Sequence, residues 1–215
     1  MVSVSFTAPY MEVYYGTRDG VGGIYAPGQT IWISVTNSLG DNTATAQVSS
    51  TPDCGWWGQF FMPTWAGEDG RCCDWTPDEP DILPGDWVYF QSDDGYENQV
   101  QAGEIYGTVD VDNDSVTGPI YATWFTDTLE VWCHPQTFWP PEYRQSSAAP
   151  DGSVPYFCEW QNTTGEQFPW DIQPDDKLMV HYREADGDQV YRMMLASEGA
   201  PPVYYAYMPS VILND

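Results

Sequence analysis

The 215-residue chain repeats itself. Ile82-Leu83-Pro84-Gly85-Asp86 is echoed 90 positions later by Ile172-Gln173-Pro174-Asp175-Asp176, and Gln99-Val100 is echoed at the same spacing by Gln189-Val190. Upstream, Val21-Gly22-Gly23-Ile24-Tyr25-Ala26 is echoed by Val116-Thr117-Gly118-Pro119-Ile120-Tyr121-Ala122. There 96 positions separate Ile24 from Ile120, so small insertions distinguish the copies. Motifs in one order at a near-constant spacing signal an internal duplication, and each unit of about 90–100 residues has the size of one small sandwich domain. A chain made of two copies of a small scaffold more often binds, spaces or assembles than catalyses.

The periodicity within each unit is that of strands. No stretch of a dozen residues carries apolar positions at helical spacing without a Pro or Gly breaking it. Thr30–Thr36 alternates, with Ile31, Ile33 and Val35 on one face, and Thr43–Ser49 alternates after the turn-forming Asn37–Asn42, which predicts a hairpin. Asp86–Phe90 runs through Asp93-Asp94-Gly95 into Glu97–Val100. In the second unit Lys177–Tyr182 runs through Ala185–Asp188 into Gln189–Leu195, and Thr128–Cys133 points Leu129, Val131 and Cys133 inward. The reading is an all-β chain of two tandem antiparallel β-sandwich domains. The first covers 1–103 with a Cys- and Trp-rich insertion over 52–81. The second covers 104–202 with an insertion over 134–153. A strand-like tail occupies 203–215. The short link at 102–104 predicts that the two units touch.

The Ile-x-Pro-x-Asp motif before an alternating strand, at Ile82 and again at Ile172, resembles tandem immunoglobulin-like modules (Big and fibronectin type) of bacterial secreted and surface proteins. The opening Val116-Thr117-Gly118 fits the same pattern. The resemblance implies an immunoglobulin-like sandwich and an extracellular or cell-surface location. It implies no reaction, and the antibody-type Cys…Trp…Cys spacing is absent.

Charge narrows the partners. Six Lys and Arg face 32 Asp and Glu, a net charge of −26. Such a surface repels nucleic acid and anionic lipid, and it suits solubility and cation binding. No apolar run of transmembrane length is present, so no membrane insertion is expected, and Met1-Val2-Ser3-Val4 lacks the basic and apolar regions of a signal peptide. The five cysteines read as extracellular disulfides local to each unit: Cys133 with Cys158, and Cys54 with Cys72 or Cys73, one cysteine being left over. Their spacing does not match the paired CxxC of a zinc site.

Three sets of side chains are candidates for function. Asp110, Asp112 and Asp114 alternate between two predicted strands and form either a calcium site or a solvated turn. Trp56, Trp57, Trp65, Trp75, Trp139 and Trp160 offer either a sugar-stacking platform or interface and core packing. The tail places Tyr205, Tyr207, Val211 and Leu213 at alternate positions, so it can add as a strand to its own sheet or to a neighbouring subunit. Catalysis has little support: His181 lies in a predicted strand, His134 in a predicted loop, and no nucleophile or phosphate-binding motif is present. The expected function is that of an extracellular structural protein, a subunit of a surface layer, sheath or filament. It would assemble with itself or with other surface proteins through strand edges, favoured by salt or divalent cations. A pair of carbohydrate-binding modules that recognise polysaccharide is the alternative, and a jelly-roll glycoside hydrolase the third.

Overall fold

The computed structural model describes residues 9–17, 19–50, 59–63, 74–136, 143–160 and 170–197. They form strands, and no helix occurs among them. In the first half run β1 (Tyr10–Gly16), β2 (Gly20–Ile24), β3 (Thr30–Thr36), β4 (Asn42–Ser49) and β5 (Gln59–Pro63). Then come β6 (Trp75–Thr76), β7 (Trp87–Ser92) and β8 (Glu97–Gln101). In the second run β9 (Glu104–Ile105), β10 (Thr108–Asp110), β11 (Ser115–Gly118), β12 (Ile120–Tyr121) and β13 (Leu129–Pro135). It ends with β14 (Arg144–Ala148), β15 (Tyr156–Glu159), β16 (Lys177–Arg183) and β17 (Gln189–Leu195).

Side-chain alternation decides which face of each strand is buried. In β3 it buries Ile31, Ile33 and Val35 and leaves Trp32 outward, as the sequence predicts. β13 likewise buries Leu129, Val131 and Cys133. The three predicted hairpins form as β3–β4, β7–β8 and β16–β17. His134 departs from expectation, because it lies inside β13, paired with Met179 of β16, and not in a loop. Pro135 suggested a break. It stands beyond Cys133, the last residue of β13 to pair with β14, where a residue without an N–H is tolerated.

Four sheets result, with strand orders β6-β4-β3-β7-β8, β10-β11-β15, β12-β9 and β14-β13-β16-β17-β1-β2-β5. The run β4-β3-β7-β8 and the run β14-β13-β16-β17 have the same order relative to the chain, as do β1-β2-β5 and β10-β11-β15. The seven-stranded sheet exists because β1 pairs with β17, in parallel, from Glu12–Gln189 to Gly16–Met193. This pairing crosses the 102–104 link, so one sheet carries strands from both halves.

The echoed motif does one job in two places. Ile82 and Ile172 are both buried in the core. Each following Asp caps its own turn: a carboxylate oxygen of Asp86 accepts the Leu83 N–H at 3.0 Å, and one of Asp176 accepts the Gln173 N–H at 2.9 Å. The Asp86 and Asp176 carbonyls then accept from Ala102 and Ala196. An apolar plug and a carboxylate that satisfies the turn's free donor explain why Ile and Asp recur at this spacing. The Cys133–Cys158 disulfide closes a separation of 25 residues and pins β13 to β15, tying the seven-stranded sheet to the three-stranded one.

Candidate functional site: the junction of the two halves

The link between the halves is held from both sides by phenols. The Tyr15 hydroxyl, from β1, donates to Gly103 O at 2.9 Å and accepts the Ile105 N–H at 2.7 Å. The Tyr182 hydroxyl, from β16, accepts the Gly103 N–H at 3.1 Å and donates to Gln101 O at 3.3 Å. The Arg192 guanidinium donates to Ile105 O, and the Tyr156 hydroxyl donates to Tyr106 O at 2.7 Å. A β-carbon on Gly103 would lie 2.6 Å from the Tyr182 oxygen, so glycine lets the two phenols close on the chain. Tyr15 and Tyr182 are deeply buried, and burial pushes both hydroxyls well above the usual tyrosine range. A link whose peptide groups are bonded to rigid side chains of both halves cannot act as a hinge.

Asp188 is the second fastening. It sits at the start of β17, nearly inaccessible to solvent. One carboxylate oxygen accepts the Met11 N–H at 2.7 Å and the other accepts the Asn98 side-chain amide at 2.7 Å. It therefore joins β1 and β8 of the first half to the second half. Burial raises the Asp188 carboxyl to about 6, helped by the charge of Asp186 and opposed by its two hydrogen bonds.

The third fastening is a row of rings on the face of the seven-stranded sheet away from the main core. Tyr14 of β1 stacks on Tyr191 of β17 at 4.5 Å and 20°. Tyr191 meets His181 at 4.2 Å, His181 meets His134 at 5.7 Å, and His134 meets Tyr143 at 4.7 Å. The Tyr14 hydroxyl donates to the buried Glu12 carboxylate at 2.7 Å. Desolvation disfavours both imidazolium forms, lowering His134 to about 4 and His181 well below its ordinary range, and it raises Glu12. Alternation in the sequence shows neither this face nor the parallel pairing that brings Tyr14 onto Tyr191.

The sequence-predicted sites fall as follows. Asp110 starts the β10–β11 turn, where its carboxylate accepts the Asp112 and Asn113 N–H groups at 3.1 Å and the Asn113 amide at 2.7 Å. The Asn113 bond holds Asp110 below the usual carboxylate range. Asp114 has φ +46° and accepts the Ile172 N–H at 2.9 Å, so it buttresses the second copy of the motif. Asp19 accepts from Ile82 in the same way in the first half.

The carboxylate cluster among the described residues lies elsewhere, at Glu184, Asp186 and Asp188, whose oxygens come within 4.8 Å of one another and could hold a metal ion. The same every-second-residue acidic spacing marks it in the sequence, where it reads only as a hairpin turn. Burial and the charges of Asp186 and Asp188 raise Glu184 to about 8.

Trp75 lies in β6, partly buried against the core, and Trp160 is fully buried with Trp170 edge-on at 5.1 Å. Trp160 is thus a core residue and offers no platform. Trp56, Trp57, Trp65, Trp139, Cys54, Cys72, Cys73 and the tail residues Tyr205, Tyr207, Val211 and Leu213 lie outside the described residues.

No family model matches the chain, and no curated protein matches it. Among solved structures, a crystal structure of a tetra-tandem repeat in the extending region of a large adhesion protein is similar at 16% identity and a TM-score of 0.26, over 87% of this chain. The chain spans 48% of the length of that structure.

Proposed function

We propose that this chain is an extracellular structural subunit built from two duplicated immunoglobulin-like sandwiches, locked into one inflexible unit that assembles into a surface layer, sheath or filament. The observation that carries the reading is the clamped link, in which Tyr15 and Tyr182 hold Gly103 from opposite halves. A subunit of fixed shape propagates a contact as a regular array, whereas a hinged one does not. The matching strand orders, the motif used alike at Ile82 and Ile172, and an inter-sheet disulfide suited to an oxidising compartment support the rest of the reading. Among the described residues, β8 and β14 end their sheets and offer ladder groups to another strand. The tail at 203–213 is the proposed incoming strand.

Light scattering and negative-stain microscopy of the purified chain test this. With 1:1 electrolyte or calcium added to screen its −26 charge, the chain forms ordered polymers, and a chain lacking 203–215 stays folded and dispersed. A full chain that stays monomeric under all these conditions contradicts the assembly reading.

A further inference from the structure

The alternation that buries Ile31, Ile33 and Val35 turns Trp32, Ser34 and Thr36 to the other face of β3, and in β7 it turns Trp87, Tyr89 and Gln91 the same way. Trp32 remains 42% exposed and Tyr89 37% exposed, large values for rings standing in the middle strands of a five-stranded sheet. Across β3–β7, Trp32 faces Gln91 and Ser34 faces Tyr89, so the two rings are diagonal neighbours. Such neighbours stand about 7–8 Å apart, within reach of aromatic side chains. Trp87 continues the line, its ring 6.2 Å from Tyr89 and 24° from parallel. Gln47 stands opposite Trp32 on the β4 side, and Gln99 stands opposite Tyr89 on the β8 side. Trp32, Ser34, Gln47, Tyr89, Gln91 and Gln99 line an open cleft of about 820 Å³; among the described residues its acids are Asp74 and Glu97, and no Lys or Arg lines it.

The structure assigns to this outward face a binding site for a neutral polysaccharide chain, with Trp32 and Tyr89 as the stacking residues and Gln47, Gln91 and Gln99 as hydrogen-bonding partners. Ring faces take the C–H surface of a sugar, and a primary amide both donates and accepts, as a hydroxyl does. Rings separated by amides and hydroxyls suit a ligand whose apolar and polar faces alternate at short range, and not a continuous apolar protein surface. The acidic lining and the net charge of −26 oppose uronate-rich glycans, phosphate polymers and a second copy of this chain. Its stacking and hydrogen-bonding residues are not those that hold the junction, although Asn98 borders both, so the variants below leave the assembly reading untouched.

Native gel electrophoresis of the full chain through gels containing soluble xylan, hydroxyethyl cellulose, glucomannan or laminarin tests the site, with polygalacturonate as the acidic control. The chain is retarded by at least one neutral polysaccharide and not by polygalacturonate. Trp32→Ala and Tyr89→Ala each weaken that binding about tenfold, and Gln91→Ala weakens it about threefold. All three keep the wild-type circular dichroism spectrum, which separates lost binding from lost folding. Retardation by none of the neutral polymers overturns the proposal. So does wild-type binding by a Trp32→Ala, Tyr89→Ala double variant, which would put binding elsewhere on the chain. Equal or stronger retardation by polygalacturonate also overturns it.

Discussion

The Asn98 side-chain amide donates to the Asp188 carboxylate at 2.7 Å, and the two residues are 90 positions apart. That is also the spacing of the two Ile-x-Pro-x-Asp motifs. Asp188 also accepts the Met11 N–H, and the halves are thereby joined by a side chain that solvent scarcely reaches.

Removing Asp188 leaves the buried Met11 N–H and the half-buried Asn98 amide without their acceptor. Asp188→Ala is expected to cost about 2–3 kcal/mol in urea unfolding, and Asn98→Ala about 1 kcal/mol, since the latter leaves Asp188 bonded to Met11. The double variant should cost less than the sum, because both changes break one bond.

The phenol clamp is tested by deleting single oxygen atoms. Tyr15→Phe strips the Ile105 N–H of its acceptor, and Tyr182→Phe does so for Gly103 N. Each is expected to destabilise by about 1–3 kcal/mol with little change in the circular dichroism spectrum. A double-mutant cycle should show coupling, since both hydroxyls bond the peptide groups of Gly103.

Stability should fall between pH 6.5 and 8. Glu184 has its folded value raised to about 8 from an ordinary 4.5, so the folded chain holds a proton that the unfolded chain has released, and raising the pH favours unfolding. The buried imidazoles act oppositely and at lower pH. Their folded values are lowered, so acid below about 6.5 favours the unfolded chain, which binds those protons first. Glu184→Gln should remove that part of the slope over its whole window, from about 4.5 to about 8, an effect of about 1 kcal/mol after solvent screening, so that the imidazole limb stands alone below pH 6.5. Calorimetry across pH 5–8.5 reads both limbs.

Much of this fold is legible in the sequence, and the largest missing part is non-local strand pairing. Alternation at Ile31, Ile33 and Val35, and again at Leu129, Val131 and Cys133, reports which face of a strand is buried, and the turn residues at Asn37–Asn42 and Asp93–Gly95 report where hairpins close. Both signals are local. The β1–β17 pairing joins residues 177 positions apart, and β1 is buried on both faces. Two-sided burial erases alternation, so Tyr10–Gly16 gives no sign of its partner. The Trp32–Tyr89 cleft was within reach of the sequence, since each ring lies opposite a buried neighbour in its strand. What alternation alone does not show is the β3–β7 pairing, across more than 50 residues, that sets the two rings side by side.

The disulfide accounts for part of the stability of the second half. Cys133→Ser with Cys158→Ser should lower the unfolding free energy by roughly 3 kcal/mol, the loop-closure value for about 25 residues. Mass spectrometry of the non-reduced protein should find these two cysteines joined.

Amide hydrogen exchange along β1 tests most directly whether the two halves form one inflexible unit. If they do, Glu12 to Gly16 exchange as slowly as β16 and β17, and all three strands open together in the same cooperative unfolding. If the β1 amides exchange orders of magnitude faster while β16 and β17 remain protected, the halves part in solution and the locked junction is wrong.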